Sequence, residues 1–182
     1  ELHSVFKNAL EGLNEAQAAL GLNRLTGETD ILCDWRGLQL RFNGKPDYSK
    51  RIELKTVWSS VADTKSGKRA GSVPTNPTHS HLCQVTGYWV ITNRLSQCIV
   101  QTSATKTNVH TEDNCEQLQD EAMHIRAQAI TARCKIRENL LKTAETKEQL
   151  FALIEPDFSH MYAWNISPEA LFEAKQLFGF AT

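Results

Sequence analysis

Apolar residues recur at helical spacing over the first twenty positions of the chain. The stripe consists of Leu2, Phe6, Ala9, Leu10, Leu13, Ala16 and Leu20. Because no proline interrupts it, the stripe predicts one amphipathic helix whose apolar face packs on the core. Gly21 follows the last apolar residue and is a natural stop, since glycine readily adopts the left-handed conformation that ends many helices.

The pattern then changes to short runs that are typical of β-strands. Residues 30–35 and 38–42 predict two strands around the tight-turn pair Arg36–Gly37, and Asn43 and Gly44 are expected to end the second one. Residues 51–58 alternate apolar and polar positions, as a half-buried strand does.

The second half of the chain predicts a loop, a strand and helices. Residues 59–79 are polar, with two glycines and two prolines, and indicate a long loop. Residues 80–93 fit a helix or a strand on composition alone, whereas residues 98–102 predict a strand. Residues 116–143 predict the longest helix, with Leu118, Ala122, Ile125, Ala129, Ile136 and Leu140 buried. A last helix is expected from Ser167, because a serine cap is followed by Pro168.

Length and composition limit what this chain can be. A chain of 182 residues with 41% hydrophobic residues predicts a single domain over 1–182, and the order of elements predicts an α/β fold with a central mixed β-sheet flanked by helices. The 20 basic and 21 acidic side chains nearly cancel, so contact with a polyanion requires local patches or metal ions. No apolar run approaches the ~18 residues that span a bilayer, so no membrane contact is expected. Five scattered cysteines suggest free thiols and a cytoplasmic location.

Two carboxylates and an amine are predicted to meet on one side of a tight bend in the chain. Asp47 ends one extended run, and a short turn returns the chain through Glu53 and Lys55. If Tyr48 faces Ile52 across this turn, Asp47 stands opposite Glu53, with Cβ atoms roughly 5 Å apart. Lys55 shares the face of Glu53, because side chains two residues apart in a strand point the same way.

Such a cluster has a simple chemical explanation in a divalent cation. Two neighbouring carboxylates repel each other, and burying them unpaired is costly. Oxygen atoms from Asp47, Glu53 and the backbone carbonyl of Leu54 suit Mg²⁺ or Mn²⁺. Such an ion makes water more acidic and offsets negative charge on a phosphate, and Lys55 could orient or deprotonate the water. The cluster therefore predicts phosphodiester hydrolysis. If these residues are considered separately, the favoured interpretation is structural: Asp47 is a turn residue, and Glu53 and Lys55 are a solvated pair on a strand.

The order of these residues resembles the PD-(D/E)xK nuclease superfamily. Pro46–Asp47 and Glu53-x-Lys55 match its two central motifs, and Gln84 and Tyr88 fit the QxxxY motif of its RecB-like and lambda-exonuclease-like branch. The run from Gly37 to Asp47 also resembles the strand that leads to the metal-binding aspartate in that branch. The resemblance covers about half the chain and favours a helix over residues 80–93, where Gln84 and Tyr88 would share a face.

The resemblance implies a restriction-endonuclease-like nuclease core and a metal-dependent DNA nuclease of recombination or repair. It implies that Asp47, Glu53, Lys55, Gln84 and Tyr88 are catalytic, and that Mg²⁺ or Mn²⁺ is the cofactor. Gln84 and Tyr88 would also hold the substrate strand. The branch often carries a metal-binding histidine on its first helix, and His3 is the only candidate upstream of Asp47. The cysteine pattern of relatives with an iron–sulfur cluster is absent, so no such cluster is expected.

Several alternatives stay open at this point. An exonuclease acting on single- or double-stranded DNA ends is favoured by the resemblance, and a junction or flap endonuclease and a non-catalytic DNA-binding module are the alternatives. A homo-oligomer and a phage origin are also open. Lys65, Lys68 and Arg69 are predicted to contact the nucleic acid, with a solvated loop as the alternative.

Four further polar residues have a structural and a functional interpretation. Glu28 and Asp30 could supply another acid, but solvation in a loop is favoured. His79 and His81 flank the start of the 80–93 segment and could touch DNA or metal, but a structural or capping role is favoured.

Overall fold

The computed structural model describes residues 2–39, 41–57, 73–146, 148–150, 158 and 167–177. In chain order its elements are α1 (Leu2–Ala19), β1 (Ile31–Cys33), β2 (Phe42–Gly44), β3 (Ile52–Thr56), α2 (His79–Ile91), β4 (Cys98–Thr102), β5 (Thr107–His110), a 3₁₀ turn (Glu116–Leu118), α3 (Asp120–Thr143) and α4 (Pro168–Leu177). The chain divides into two units, residues 1–134 and 135–182, and the boundary falls within α3. All five strands belong to the first unit.

The main sheet has three strands and mixes two pairing directions. β4 lies in the centre, parallel to β3 and antiparallel to β5. β1 and β2 form a separate antiparallel pair. Helices and a mixed sheet in one unit confirm the predicted α/β class.

The first two helices cover opposite faces of this sheet. Leu13 of α1 packs in one apolar cluster with Val100, whereas Val85 of α2 packs in another cluster with Ile99. Ile99 and Val100 are neighbours in β4, so their side chains point to opposite faces. β4 is therefore buried on both sides, which agrees with the burial of all five of its residues and with its apolar start, Cys98 to Val100.

The predicted buried face of α1 is only partly right. Leu2 and Phe6 are 70% and 60% exposed and Leu10 is also exposed, whereas the buried residues are Val5, Ala9, Gly12, Leu13 and Ala16. The reason is close packing, because a Cβ at Gly12 would lie 2.7 Å from Val100 Cγ1 and 2.6 Å from Thr107 Cγ2. The helix therefore turns Gly12, with Ala9, Leu13 and Ala16, toward the sheet and leaves Leu2, Phe6 and Leu10 exposed.

Helix α2 confirms the choice of helix for residues 80–93. It begins after Thr78, whose hydroxyl accepts a hydrogen bond from the His81 backbone N–H at 3.4 Å. Threonine is a common N-cap residue because its oxygen satisfies a free N–H of the first turn. The cap is thus supplied by Thr78, and the rings of His79 and His81 are not needed for it.

Other boundaries differ from the prediction. β2 begins at Phe42, where the predicted strand was expected to end, and includes Asn43 and Gly44. β5 was not predicted, because its sequence Thr-Asn-Val-His contains a single aliphatic residue. In α3 the buried positions are Met123, Ala127 and Glu138, and Ile125 is exposed. The prediction had placed the buried stripe of α3 one to two residues out of register.

The second unit contains the helix expected near the end of the sequence. α4 starts at Pro168, directly after Ser167, as the capping pattern predicted. The Ser167 hydroxyl donates a hydrogen bond to Glu169 Oε2 at 2.7 Å. Across the described ranges, no helix is both long enough and apolar enough to cross a bilayer.

We predict that Gly12→Ala lowers the free energy of unfolding by about 1–2 kcal/mol, although alanine favours helices, because stiff methyl groups of Val100 and Thr107 occupy the space. Urea denaturation followed by circular dichroism measures this difference. Gly27→Ala is the control, since nothing lies within 4 Å of an added Cβ there. Equal stability of Gly12→Ala and the wild type would contradict the close packing of α1.

Candidate active site

The predicted bend between Asp47 and Glu53 is present in the structure. Tyr48 and Ile52 form an isolated antiparallel bridge, with backbone N–H to carbonyl distances of 3.1 and 2.9 Å. Three residues separate these partners, and two of them, Ser49 and Lys50, have positive φ, 50° and 60°, which lets the chain reverse over this short distance. The pairing of Tyr48 with Ile52 on which the sequence interpretation depended is therefore confirmed.

Asp47 lies at the outer edge of β3. Its Oδ2 accepts a hydrogen bond from the Leu54 backbone N–H at 2.7 Å. The N–H and C=O of one strand residue point to the same edge, so the Leu54 carbonyl also faces the side of Asp47. The other edge of β3 is paired with β4. Asp47 is thus held beside the Leu54 carbonyl, the backbone oxygen that was predicted to bind the cation together with it.

Glu53 is the buried centre of the cluster. Its side chain is 2% exposed, and its Oε1 accepts hydrogen bonds from Lys55 Nζ and from Gln84 Nε2, the latter at 2.8 Å. Its second oxygen, Oε2, is also buried, and no hydrogen-bond donor reaches it within the described part of the chain. A buried acceptor without a partner costs about 1–3 kcal/mol, so this oxygen needs an explanation.

Burial raises the pKa of the Glu53 carboxyl above its ordinary value. Hydrogen bonds from Lys55 and, to a smaller extent, from the Tyr88 hydroxyl oppose this shift, and the nearby negative charge of Asp47 adds to it. Burial is the larger effect, because removing a carboxylate from water penalises its charged form. The positive charge of Lys55 therefore does not fully compensate the negative charge of the Glu53 carboxylate.

Gln84 and Tyr88 stand on the face of α2 that looks toward Glu53. Gln84 Nε2 also contacts the Tyr88 hydroxyl at 2.8 Å, so one amide group bridges the phenol and the carboxylate. Burial raises the pKa of Tyr88 to about 12, which keeps the phenol protonated. Tyr88 is 3% exposed, so in this structure it supports Gln84, and its contact with nucleic acid stays a prediction.

Close packing of β2 on α2 holds this helix face in place. A Cβ at Gly87 would lie 2.6 Å from Phe42 Cζ, and one at Gly44 would lie 3.0 Å from Tyr88 Cε1. The ring of Phe42 lies 4.9 Å from that of Trp35, which is itself buried. The two glycines therefore let the β1–β2 pair approach the helix that carries Gln84 and Tyr88.

A cavity of about 440 Å³ opens beside Asp47. It is lined by Gly27, Glu28, Asp47, Tyr48, Leu54 and Thr56. Glu28, for which a solvated loop position was favoured, lies at its wall and forms an ion pair with Lys45 at 2.6 Å. The cavity gives small molecules or ions access to the outer edge of β3, where Asp47 and the Leu54 carbonyl are.

The remaining predicted site residues are His3 and the three basic residues Lys65, Lys68 and Arg69. His3 is exposed in the first turn of α1. Among the described residues, no three His, Cys, Asp or Glu side chains form a group able to hold a metal, so the structure does not join His3 to Asp47 and Glu53. Lys65, Lys68 and Arg69 lie outside the described residues.

The donor atoms nevertheless fit a divalent cation of the magnesium type. The fit depends on the buried Oε2 of Glu53, which needs a partner, and on its charge, which Lys55 only partly compensates. Asp47 and the Leu54 carbonyl would complete a set of three protein oxygens. Mg²⁺ commonly keeps several waters and takes one or two carboxylates, so a group of three acidic or histidine side chains is not required.

Sequence analysis missed a second polar group on the same sheet face. Gln101 is 1% exposed and pairs with Lys55 across β3 and β4, so the two side chains are neighbours. Its amide contacts His81 Nδ1 at 3.4 Å and His110 Nε2 at 2.9 Å. The available signal was a glutamine inside an otherwise apolar strand, since a buried amide must find partners.

Comparison with known proteins adds little to this geometry. No protein-family model and no curated protein matches the chain. Among solved structures, it is similar to the crystal structure of SSO0001, with 15% sequence identity over 81% of this chain and 68% of that chain, and a TM-score of 0.40. A likeness of this size carries no argument about fold or function.

We predict that the stability of the metal-free protein depends on pH through Glu53. Because the folded-state pKa of Glu53 is raised, its favourable contribution is complete below the ordinary value of 4.5 and is lost as pH rises through the folded value. Glu53→Gln keeps a neutral side chain at every pH. Relative to the wild type, this variant should therefore gain stability as pH rises from about 4.5 to about 8.

Urea denaturation in EDTA at several pH values measures this difference. Glu116→Gln is the control, because Glu116 is exposed and the substitution should leave the pH dependence of the wild type unchanged. A constant difference between Glu53→Gln and wild type over the whole range would show that burial does not disfavour the Glu53 carboxylate.

Proposed function

We propose that this protein is a metal-dependent DNA nuclease of the PD-(D/E)xK type, with a restriction-endonuclease-like core. The observation that carries the proposal is the buried Glu53 carboxylate, which shares one oxygen between Lys55 and Gln84 and leaves the other without a donor. Asp47 lies close enough for its charge to raise the pKa of Glu53. Two neighbouring carboxylates with a lysine beside them can hold a divalent cation and orient water, which is one arrangement that supports metal-assisted phosphodiester hydrolysis.

In this proposal Asp47, Glu53 and the Leu54 carbonyl hold Mg²⁺ or Mn²⁺. When bound, the ion would offset negative charge on the phosphate and make water more acidic. Lys55 has three N–H donors, and Glu53 is its one hydrogen-bond partner among the described residues, so another N–H would orient the attacking water toward phosphorus. Gln84 fixes the direction of the Glu53 carboxylate, and the protonated Tyr88 phenol holds the Gln84 amide.

An exonuclease acting on DNA ends is the preferred form of this activity. The preference comes from the QxxxY resemblance at Gln84 and Tyr88, and a role in recombination or repair is proposed on the same ground. A junction or flap endonuclease would use the same residues. A non-catalytic DNA-binding module is disfavoured, since Asp47, Glu53 and Lys55 are all retained and held together.

We predict that the wild-type protein degrades DNA in the presence of Mg²⁺ or Mn²⁺, that EDTA abolishes the activity, and that Lys55→Ala lowers its rate by about a hundredfold or more. The rate should fall because the attacking water loses the group that orients it. Gel analysis of labelled single- and double-stranded DNA measures the rate.

Lys7→Ala serves as the control, because Lys7 is an exposed lysine on α1 and its loss should not change the rate. A folded wild-type protein that cleaves neither substrate with either metal would contradict the nuclease proposal and favour the binding module. Cleavage by Lys55→Ala at the wild-type rate would remove Lys55 from the mechanism.

We predict that linear DNA is degraded and covalently closed circular DNA stays intact, because an exonuclease needs an end to begin. The test incubates the wild type and Mg²⁺ with a plasmid before and after linearisation by a restriction enzyme. Loss of the closed circle would contradict the exonuclease form and favour the endonuclease. The same plasmid, nicked once, shows whether an internal end is sufficient.

A further inference from the structure

The polar residues of the main sheet continue beyond the proposed catalytic group. Glu53 and Lys55 alternate in β3, Gln101 is paired with Lys55, and His110 of β5 lies on the same face. From α2, the side chains of His81 and Gln84 reach this face, since each contacts one of these residues. His81 is three residues before Gln84 and therefore on the same side of the helix.

The hydrogen bonds fix which nitrogen of His81 carries its proton. A glutamine amide nitrogen only donates, so His81 Nδ1, at 3.4 Å from Gln101 Nε2, must accept and be unprotonated. The amide oxygen of Gln101 only accepts, so His110 Nε2, at 2.9 Å, must donate to it. Reversing the amide would place its oxygen on His81 Nδ1 and its nitrogen on His110 Nε2, and would require the opposite tautomer on both rings. With the amide in the orientation of this structure, the neutral ring of His81 carries its proton on Nε2.

The Nε2–H group of His81 is a hydrogen-bond donor that has no role in the proposed mechanism. Within the described ranges, no acceptor is hydrogen-bonded to it, and the side chain is only half-buried. Burial, followed by the positive charge of Lys55, lowers the pKa of His81 and favours the neutral ring. A neutral donor beside an ammonium group suits an anion with several oxygens, because both groups donate and neither accepts.

We propose that His81 binds a phosphate of the nucleic-acid backbone through Nε2–H, next to Lys55, and that Gln101 and His110 are positioning residues that fix its ring. This inference rests on the proposed function for the identity of the anion. It adds a substrate contact to the residues of the catalytic motifs. His81, Gln84 and Tyr88 then lie on one face of α2. In this proposal His81 contacts the substrate, whereas Gln84, supported by Tyr88, contacts the Glu53 carboxylate.

Two substitutions separate a phosphate contact from a structural role. In His81→Asn, the shorter side chain places an amide oxygen near the position of Nδ1, so the bond from Gln101 is kept and the distal donor is lost. In His81→Gln, the longer side chain places an amide N–H near the position of Nε2. His79→Asn is the matched control, because His79 is exposed on the neighbouring turn and contacts only Cys83 among the described residues.

The binding experiment measures the fluorescence anisotropy of a labelled single-stranded DNA in EDTA, where no cleavage occurs. We expect His81→Asn to weaken binding about tenfold, His81→Gln to recover most of it, and His79→Asn to match the wild type. In Mg²⁺, His81→Asn should raise KM by a similar factor and change kcat little, because the contact is made before and during the reaction. Wild-type affinity in His81→Asn would overturn the inference, and so would equal losses in both variants.

The outcomes distinguish this inference from the proposed function. If the wild type binds DNA without cleaving it and His81→Asn weakens binding, the inference stands and the nuclease proposal fails. If the wild type cleaves DNA and His81→Asn matches it in affinity and KM, only the inference fails. A wild type that neither binds nor cleaves DNA overturns both.

The tautomer of His81 gives a readout that is independent of DNA. Two-bond ¹H–¹⁵N correlation spectra of the ¹⁵N-labelled wild type should show the Nε2–H form for His81. Gln101→Leu removes the donor to Nδ1 and should give a mixture of tautomers. An Nδ1–H form in the wild type would overturn the inference, since the donor would then point toward Gln101.

Discussion

The arrangement of this site depends on a carboxylate that the fold removes from water. Glu53 is 2% exposed in β3, and removing its charge from solvent is costly unless other groups compensate it. One of its oxygens receives two donors, from Lys55 and Gln84, whereas the other receives none in the described part of the chain. In the proposed function, a divalent cation near Asp47 would compensate this buried charge. The proposed chemistry follows from that imbalance of charge.

The main sheet has an apolar face toward α1 and a face with several polar residues toward α2. On the side of α1, the residues of β3 and β4 pack with Leu13 and Ala16 in an apolar cluster. On the side of α2, the same strands present Glu53, Lys55 and Gln101. Since alternate residues of a strand point to opposite faces, one short strand can serve both purposes. This division explains why β3 combines a buried isoleucine with a buried glutamate.

Helix α2 connects the two polar groups of this face. Gln84 reaches Glu53, and His81, one turn earlier, reaches Gln101. The close contacts at Gly44 and Gly87 hold this helix against β2, so its position is set by packing of backbone and ring rather than by the polar contacts. Rigid support of this kind matters for catalysis, because small displacements of a reacting group reduce rates strongly. The apolar side of α2 thus positions the side that carries His81 and Gln84.

The sequence alone determined the parts of this protein that depend on short distances along the chain. The bend from Asp47 to Lys55 could be predicted, because a connection of three residues leaves few ways to pair Tyr48 with Ile52. The limits of α1 and the strand character of β4 also followed from local patterns, and the QxxxY resemblance chose a helix for α2.

Only the tertiary structure decided the properties that depend on distant contacts. The face of α1 that is buried is the one that contains Gly12, because Val100 and Thr107, nearly a hundred residues away, leave no room for a larger side chain there. The burial of Glu53 and the missing donor at its second oxygen depend on α2 covering the sheet. The chain of contacts from His81 through Gln101 to His110 joins three separate elements, and no local pattern of apolar and polar residues specifies such an arrangement.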